Sequence, residues 1–203
     1  MHRILGKDAN YEGSRPADQP VRLLRSVPEW LLCVRDADAN IAVSRGDPMS
    51  EHTATVHWHR NADADFARNR YSRAHEWRFD GGAVVPASAS PAVVRAPFSD
   101  PAGVDPEEAF VAAVASCHML WFLSIAAAKG HVVDRYEDEA VGTMAKNADG
   151  KEWVADVLLR PRIVFSGESR PDDSAIEALH HEAHAECFIA NSVKSAIRIK
   201  SRA

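Results

Sequence analysis

The side chains with the most chemical scope in this chain are thiols and imidazoles. There are three cysteines, Cys33, Cys117 and Cys187. That is too few for a disulfide framework and fits a reducing compartment, where a free thiol can act as a nucleophile. Cys117 lies within Val114-Ala115-Ser116-Cys117-His118-Met119-Leu120, and Cys187 within Ala185-Glu186-Cys187-Phe188-Ile189-Ala190. Either could be a buried structural cysteine, since free Cys is among the most buried residue types. To act as a nucleophile, Cys117 would need a cation beside it. The thiolate is the reactive form, and apolar burial alone pushes a thiol pKa up. Cys33 reads as an incidental thiol.

His180 and His184 are four residues apart and share a helix face, with Cys187 three residues further on. Joined by Cys117 and His118, they could supply the His and Cys donors of a Zn²⁺ site. No Cys-x-x-Cys pair supports this, and His181-Glu182-Ala183-His184 is one residue short of the zincin motif. The plainer reading is a polar helix face near a dimer surface, with His118 packing or hydrogen-bonding beside Cys117. No metal and no cofactor is expected.

These groups need a scaffold. Residues 1–48 mix Gly, Pro, Asp, Asn and Arg without sustained periodicity, so they read as a flexible extension, or as chain upstream of the true start. The domain is expected over 49–203. Alternation begins at Thr53-Ala54-Thr55-Val56-His57-Trp58, and a second strand is expected from Tyr71 to Phe79. Asp80-Gly81-Gly82 then supplies a tight turn before Ala83-Val84-Val85. The Pro/Ser/Asp-rich loop over 86–104 is long enough to suggest a functional role. Next comes the strongest helix signal: Asp105 as cap, Pro106 at the first position and Glu108 completing a capping box. The apolar run ends at Lys129-Gly130 and has no polar face, so burial on nearly every side is expected.

Strands near Glu139–Lys146 and Trp153–Phe165, a helix from Asp172 to His184, and a last strand from Val193 to Lys200 follow. The order defines an α+β class with mostly antiparallel pairing. The uncharged stretch Ala109–Ala128 meets the length test for a membrane span. Its helix cap, its alanines and Ser116, His118 and Ser124 favour a buried core helix instead.

Of the 203 residues, 46% are hydrophobic and 26% charged, the balance of an ordinary globular protein. A formal charge of −5 argues against nucleic-acid binding, which wants clustered Lys and Arg. The first twenty or so residues carry charge and no apolar core, so a secretory signal is not expected and a cytoplasmic location is.

Asp105-Pro106-Glu107-Glu108, leading into an alanine-rich helix with Cys117 ten residues after Glu107, resembles the OsmC/Ohr family. So does Cys187, seventy residues later, ahead of Asn191-Ser192-Val193-Lys194. The resemblance covers about Met49 to Ala203. It implies an OsmC-like fold, with antiparallel sheets packed on a long central helix carrying the reactive cysteine, in an intertwined homodimer. It also implies a thiol peroxidase reducing organic hydroperoxides. Cys117 would become a sulfenic acid, Cys187 would resolve it as a disulfide, and a dithiol such as a lipoylated protein would restore both. Family members activate the cysteine with an Arg held by the Glu of the Pro-Glu pair. Here Glu107 takes that place, and Arg95 is the first candidate for the Arg, with Arg73 and Arg78 behind it.

Ten helical residues separate Glu107 from Cys117 by about 15 Å and turn them to different faces. A second subunit would ease that geometry. Phe110, Met119, Trp121 and Phe122 would give Cys117 an apolar lining suited to organic peroxides. The aromatic run after the cysteine departs from the plainest family members and marks a divergent branch. The alternative is a non-catalytic ligand- or zinc-binding protein on the same scaffold.

Overall fold

The computed structural model describes residues 50–201. The expected extension over 1–48, with Cys33, lies outside the described residues. A meander of three antiparallel strands comes first, β1 (Ala54–His57), β2 (His75–Phe79) and β3 (Val84–Ala87). The Asp80-Gly81-Gly82 turn forms as expected, with the Phe79 amide donating to Ala83 O and Gly82 at φ +84°. The second strand is shorter than its sequence suggested. Residues 71–74 instead support a ring cluster in which Phe66 and Tyr71 stack at 4.5 Å and Trp58 Nε1 donates to Ser72 O.

The loop after β3 is pinned back on that strand. The Val104 amide donates to Pro86 O, the Ser88 amide to Val104 O, and the Asp100 amide to Ser88 Oγ. Gly103 makes the approach possible, because a Cβ there would stand 2.9 Å from the Ala87 carbonyl carbon.

Helix α1 (Pro106–Ala128) starts with the complete capping box. The Glu108 amide donates to Asp105 Oδ1 at 2.8 Å, and the Asp105 amide to Glu108 Oε2 at 3.1 Å. Four strands follow: β4 (Val132–Asp138), β5 (Val141–Lys146), β6 (Glu152–Leu159) and β7 (Pro161–Ser166). The first is not expected from the sequence, because its largely exposed, charge-rich Val-Val-Asp-Arg-Tyr-Glu-Asp hides the alternation. The run Trp153–Phe165 proves to be two strands in different sheets. Arg160 marks the break: its amide donates to Asp138 Oδ1 and its Nε to Glu139 O. One residue thus ties the β6–β7 corner to the β4–β5 corner.

Helix α2 (Asp173–Glu186), capped by Asp172, leads through Cys187 into a one-turn helix α3 (Phe188–Ser192) and then β8 (Ala196–Ile199). β4 pairs with β7, and β5 with β6, antiparallel; β8 joins β6 in parallel, an exception to the otherwise antiparallel pairing. The β5–β6 hairpin closes on Asn147, whose Oδ1 accepts from the amides of Asp149 and Lys151.

α1 serves two half-cores. Its first half packs Val114 with Val157 and Leu159, among Phe110, Val154, Ile189 and Ile197. Its second half packs Phe122, Ile125 and Ala126 against Leu179 and Ala183 of α2, under Tyr136, Ile163 and Phe165. The expectation of burial on nearly every side fails for the single chain. Only Val114, His118, Phe122, Ile125 and Ala126 of the helix are buried, and Leu120 is 63% exposed. By length and apolarity α1 could also cross a membrane, but two half-cores and a sheet pack against it.

Phe122 is fully buried where the second half-core meets α2. Phe122→Ala should therefore lower the unfolding free energy by about 3–5 kcal/mol, measured by chemical denaturation of the purified chain.

Candidate active site

Cys117 sits in the middle of α1, half-buried, and Cys187 at the junction of α2 and α3, fully buried. Cys187 ends one helix and starts the next: its amide donates to His184 O at 3.3 Å, and its Sγ accepts from the Ala190 amide at 3.4 Å. The short α3 is held by Asn191 Nδ2 donating to Ala185 O and by Ser192 Oγ donating to Phe188 O. Edge-on packing of Trp121 against Phe188, at 5.4 Å, ties α3 to α1. This framing brings the two sulfurs together. Both are free thiols, close enough for Cys117 to act on the ionisation of Cys187. Burial pushes the Cys187 thiol up to about 11, and the nearby Cys117 adds to the shift; the amides of Ala190 and Ile189 oppose it. The pair is therefore asymmetric, with a half-buried sulfur on α1 facing a buried sulfur that keeps its proton at neutral pH.

None of the other expected site residues is hydrogen-bonded or ion-paired to either thiol among the described residues. Arg95 is exposed, and its guanidinium makes no hydrogen bond or ion pair among the described residues. Arg73 is engaged locally, donating to Asn69 Oδ1 at 2.6 Å and lying 3.8 Å over the Tyr71 ring. Arg78 is bonded to Glu76 through Nε at 2.7 Å. Glu107 lies half-buried in the first turn of α1, where its charge suits the helix dipole. It lines a cavity of about 510 Å³ between α1 and β5, with Val111, Ala115 and Met144 among the walls. No hydrogen bond or ion pair joins Glu107 or Arg95 to Cys117. Of the four residues expected to lie around Cys117, Phe110 and Phe122 are spent in the two half-cores and Trp121 on Phe188.

Of the histidines expected on a polar face of α2, only His180 turns fully inward. His181 is exposed and His184 half-buried, but His180 is buried against α1, where His118 Nε2 lies 3.0 Å from His180 Nδ1. The signal for this was present in the sequence, as a histidine on an apolar helix and a second one on a helix with an apolar stripe. Burial first, then the neighbouring His180 and His184, pushes His118 down to about 3; burial alone pushes His180 down to about 4. Among the described residues no group of three or more His, Cys, Asp or Glu converges on a metal position.

A long central helix carrying Cys117, with Cys187 at the α2–α3 junction and small, mostly antiparallel sheets packed around it, defines an α+β protein. The sequence model of OsmC-like protein matches residues 99–202. The solved OsmC-like protein of unknown function from Vibrio cholerae O1 biovar eltor is 55% identical over 76% of this chain and 100% of its own, with TM-score 0.74. This chain belongs to the OsmC-like family.

The fold extends to more distant structures. The organic hydroperoxide resistance protein OhrB of Bacillus subtilis is 17% identical, covering 76% of this chain and 100% of its own, with TM-score 0.54. The organic hydroperoxide resistance protein OsmC of Legionella pneumophila is 15% identical, over 76% of this chain and 96% of its own, with TM-score 0.55. No curated protein matches the chain.

The asymmetry of the pair predicts selective labelling. With iodoacetamide at pH 8, Cys117 should be alkylated while Cys187, with about one thiolate in a thousand, stays unmodified. Peptide mass spectrometry reads the difference, and equal labelling of both would contradict the geometry.

Proposed function

We propose that this chain is a cysteine-based peroxidase that reduces organic hydroperoxides. The observation that carries the reading is the proximity of Cys117 and Cys187, seventy residues apart in sequence, with the buried partner holding its proton. The Cys117 thiolate attacks the distal oxygen of the hydroperoxide. The O–O bond breaks, the alkoxide leaves and takes a proton to become an alcohol, and Cys117 is oxidised by two electrons to a sulfenic acid. The Cys187 sulfur then attacks that sulfur. Its proton leaves with the hydroxyl as water, and a Cys117–Cys187 disulfide remains. An external dithiol, such as a lipoylated protein, supplies two electrons and two protons to restore both thiols. Free thiols also fit a cytoplasmic setting.

Attack at Cys117 calls for a cation, and the unengaged Arg95 is the group available to supply one. A homodimer would supply the contact with Cys117 that Arg95 does not make within one chain. Leu120 of α1, 63% exposed, and Phe188 of α3, 64% exposed, give a second copy apolar surface to cover. The β1–β3 sheet is linked to the helix by the pinned loop that carries Arg95, so the partner's loop can present that arginine across the interface. Glu107, on the half-buried first turn, is then placed to hold it. Names given to the distant structural neighbours, organic hydroperoxide resistance proteins, agree with this substrate class.

One equivalent of cumene hydroperoxide should remove two thiols and leave a Cys117–Cys187 crosslink in peptide maps. Cys117→Ser should abolish turnover without loss of fold, and Cys187→Ser should consume one equivalent and stop. Thiols that stay free through long exposure would sink the peroxidase reading and leave a binding role for the scaffold. Arg95→Ala should slow the first oxidation at least about tenfold in stopped-flow kinetics while leaving the melting temperature unchanged; an unchanged rate would remove Arg95 from the site.

A further inference from the structure

The centre of the seam between α1 and α2 is largely apolar. Phe122, Ile125 and Ala126 close it from one side, Leu179 and Ala183 from the other. Within it the rings of His118 and His180 stack at 5.3 Å with planes 13° apart, joined by their 3.0 Å hydrogen bond. The two residues are 1% and 5% exposed, and the Phe122 ring lies 4.5 Å from His180. Their outer nitrogens, His118 Nδ1 and His180 Nε2, have no partner, and neither has Nδ1 of His184 one turn along.

The pair has little to compensate a charge. From α2 it is flanked by His184 and the exposed His181. Asp173 and Glu177 share with His180 the lining of a cavity of about 620 Å³ that reaches Ile163 of β7 and Ile199 of β8. β4 contributes Tyr136, packed on Phe122, whose phenol burial and Asp138 keep protonated. α1 itself contributes Cys117, and the Lys129–Glu182 ion pair lies on the exposed side of the same two helices. None of these carboxylates or cations is hydrogen-bonded or ion-paired to either imidazole. A first proton on the pair would be a buried charge without a counter-charge. A second would turn both bridging nitrogens into donors and abolish the bond.

We propose that the His118–His180 pair is an acid-sensitive latch: proton uptake opens the α1–α2 seam and parts Cys117, on α1, from Cys187, at the end of α2. The direction follows from linkage. Both imidazoles are held below the ordinary 6.5, at about 3 and about 4. The closed seam is therefore fully favoured above pH 6.5 and loses stability as pH falls below that value, down through the closed-state values. The latch does not depend on peroxide chemistry. Its consequence, slower crosslinking in acid, rests on the reading given above, so the test uses a thiol reagent that is not a peroxide.

In reduced Cys117→Ser protein, labelling of buried Cys187 by 4,4′-dithiodipyridine reports opening, once each rate is divided by that of a small thiol at the same pH. Between pH 7.5 and 5 the normalised rate should rise between about tenfold and a thousandfold, the upper end being two imidazoles returned to ordinary pKa values. In the same background, His118→Leu with His180→Leu should leave the rate flat. A flat rate with both histidines present, or an undiminished rise without them, overturns the latch. Imidazole proton signals in the unsubstituted protein give a second reading that needs no variant. They should stay neutral in the folded spectrum down to about pH 5, and titration of either ring near 6.5 with the folded spectrum retained overturns the proposal equally.

Discussion

A helix without a polar face has to be covered from several directions, and α1 imposes that demand on a chain whose other elements are short. The response is to split the work. β5, β6 and β8 take the first half of α1 through Val114, while β4, β7 and α2 take the second through Phe122. Cys117 falls at the division between the halves, on the turn where cover passes from strands to helices. That position leaves it half-buried: within reach of α3, yet sealed by neither core. The uncovered remainder of the helix is the price of small sheets.

The second constraint is the helix break at Cys187. A residue that closes one helix and opens the next has its backbone committed in both directions, through His184 O and Asn191 N. Its side chain then has little freedom, which is what a partner thiol on another helix requires. Asymmetry between the sulfurs is a by-product of the same burial. Depth keeps one protonated, and the other stays near the surface of the fold.

Legibility in the sequence followed the range of the interactions. The start of α1 was plain because Asp105, Pro106 and Glu108 interact within one turn, and the Asp80-Gly81-Gly82 turn for the same reason. β4 and the break at Arg160 were not, because both depend on partners at least twenty residues away, such as Asp138 for the Arg160 amide. α3 escaped because five residues offer no period to detect. At the site, the two cysteines were recognisable only from spacing shared with a family; nothing local to Cys117 or Cys187 distinguishes a reactive thiol from a structural one. The histidines were visible, and His118 does hydrogen-bond and His181 does face solvent, but the burial of His180 was not legible, since only packing decides which of two adjacent imidazoles turns inward.

Not every part of the molecule is tied to this arrangement. The β5–β6 hairpin ends in a tip, Asn147 to Gly150, whose hydrogen bonds all return to Asn147 itself or across the hairpin to Lys151. It takes no support from either half-core and lends none. Chain added there would lengthen an already self-contained loop, at about 0.6 kcal/mol for each doubling of its length. The tip is thus a natural handle, where a fluorophore or an affinity peptide could be carried without disturbing either sulfur.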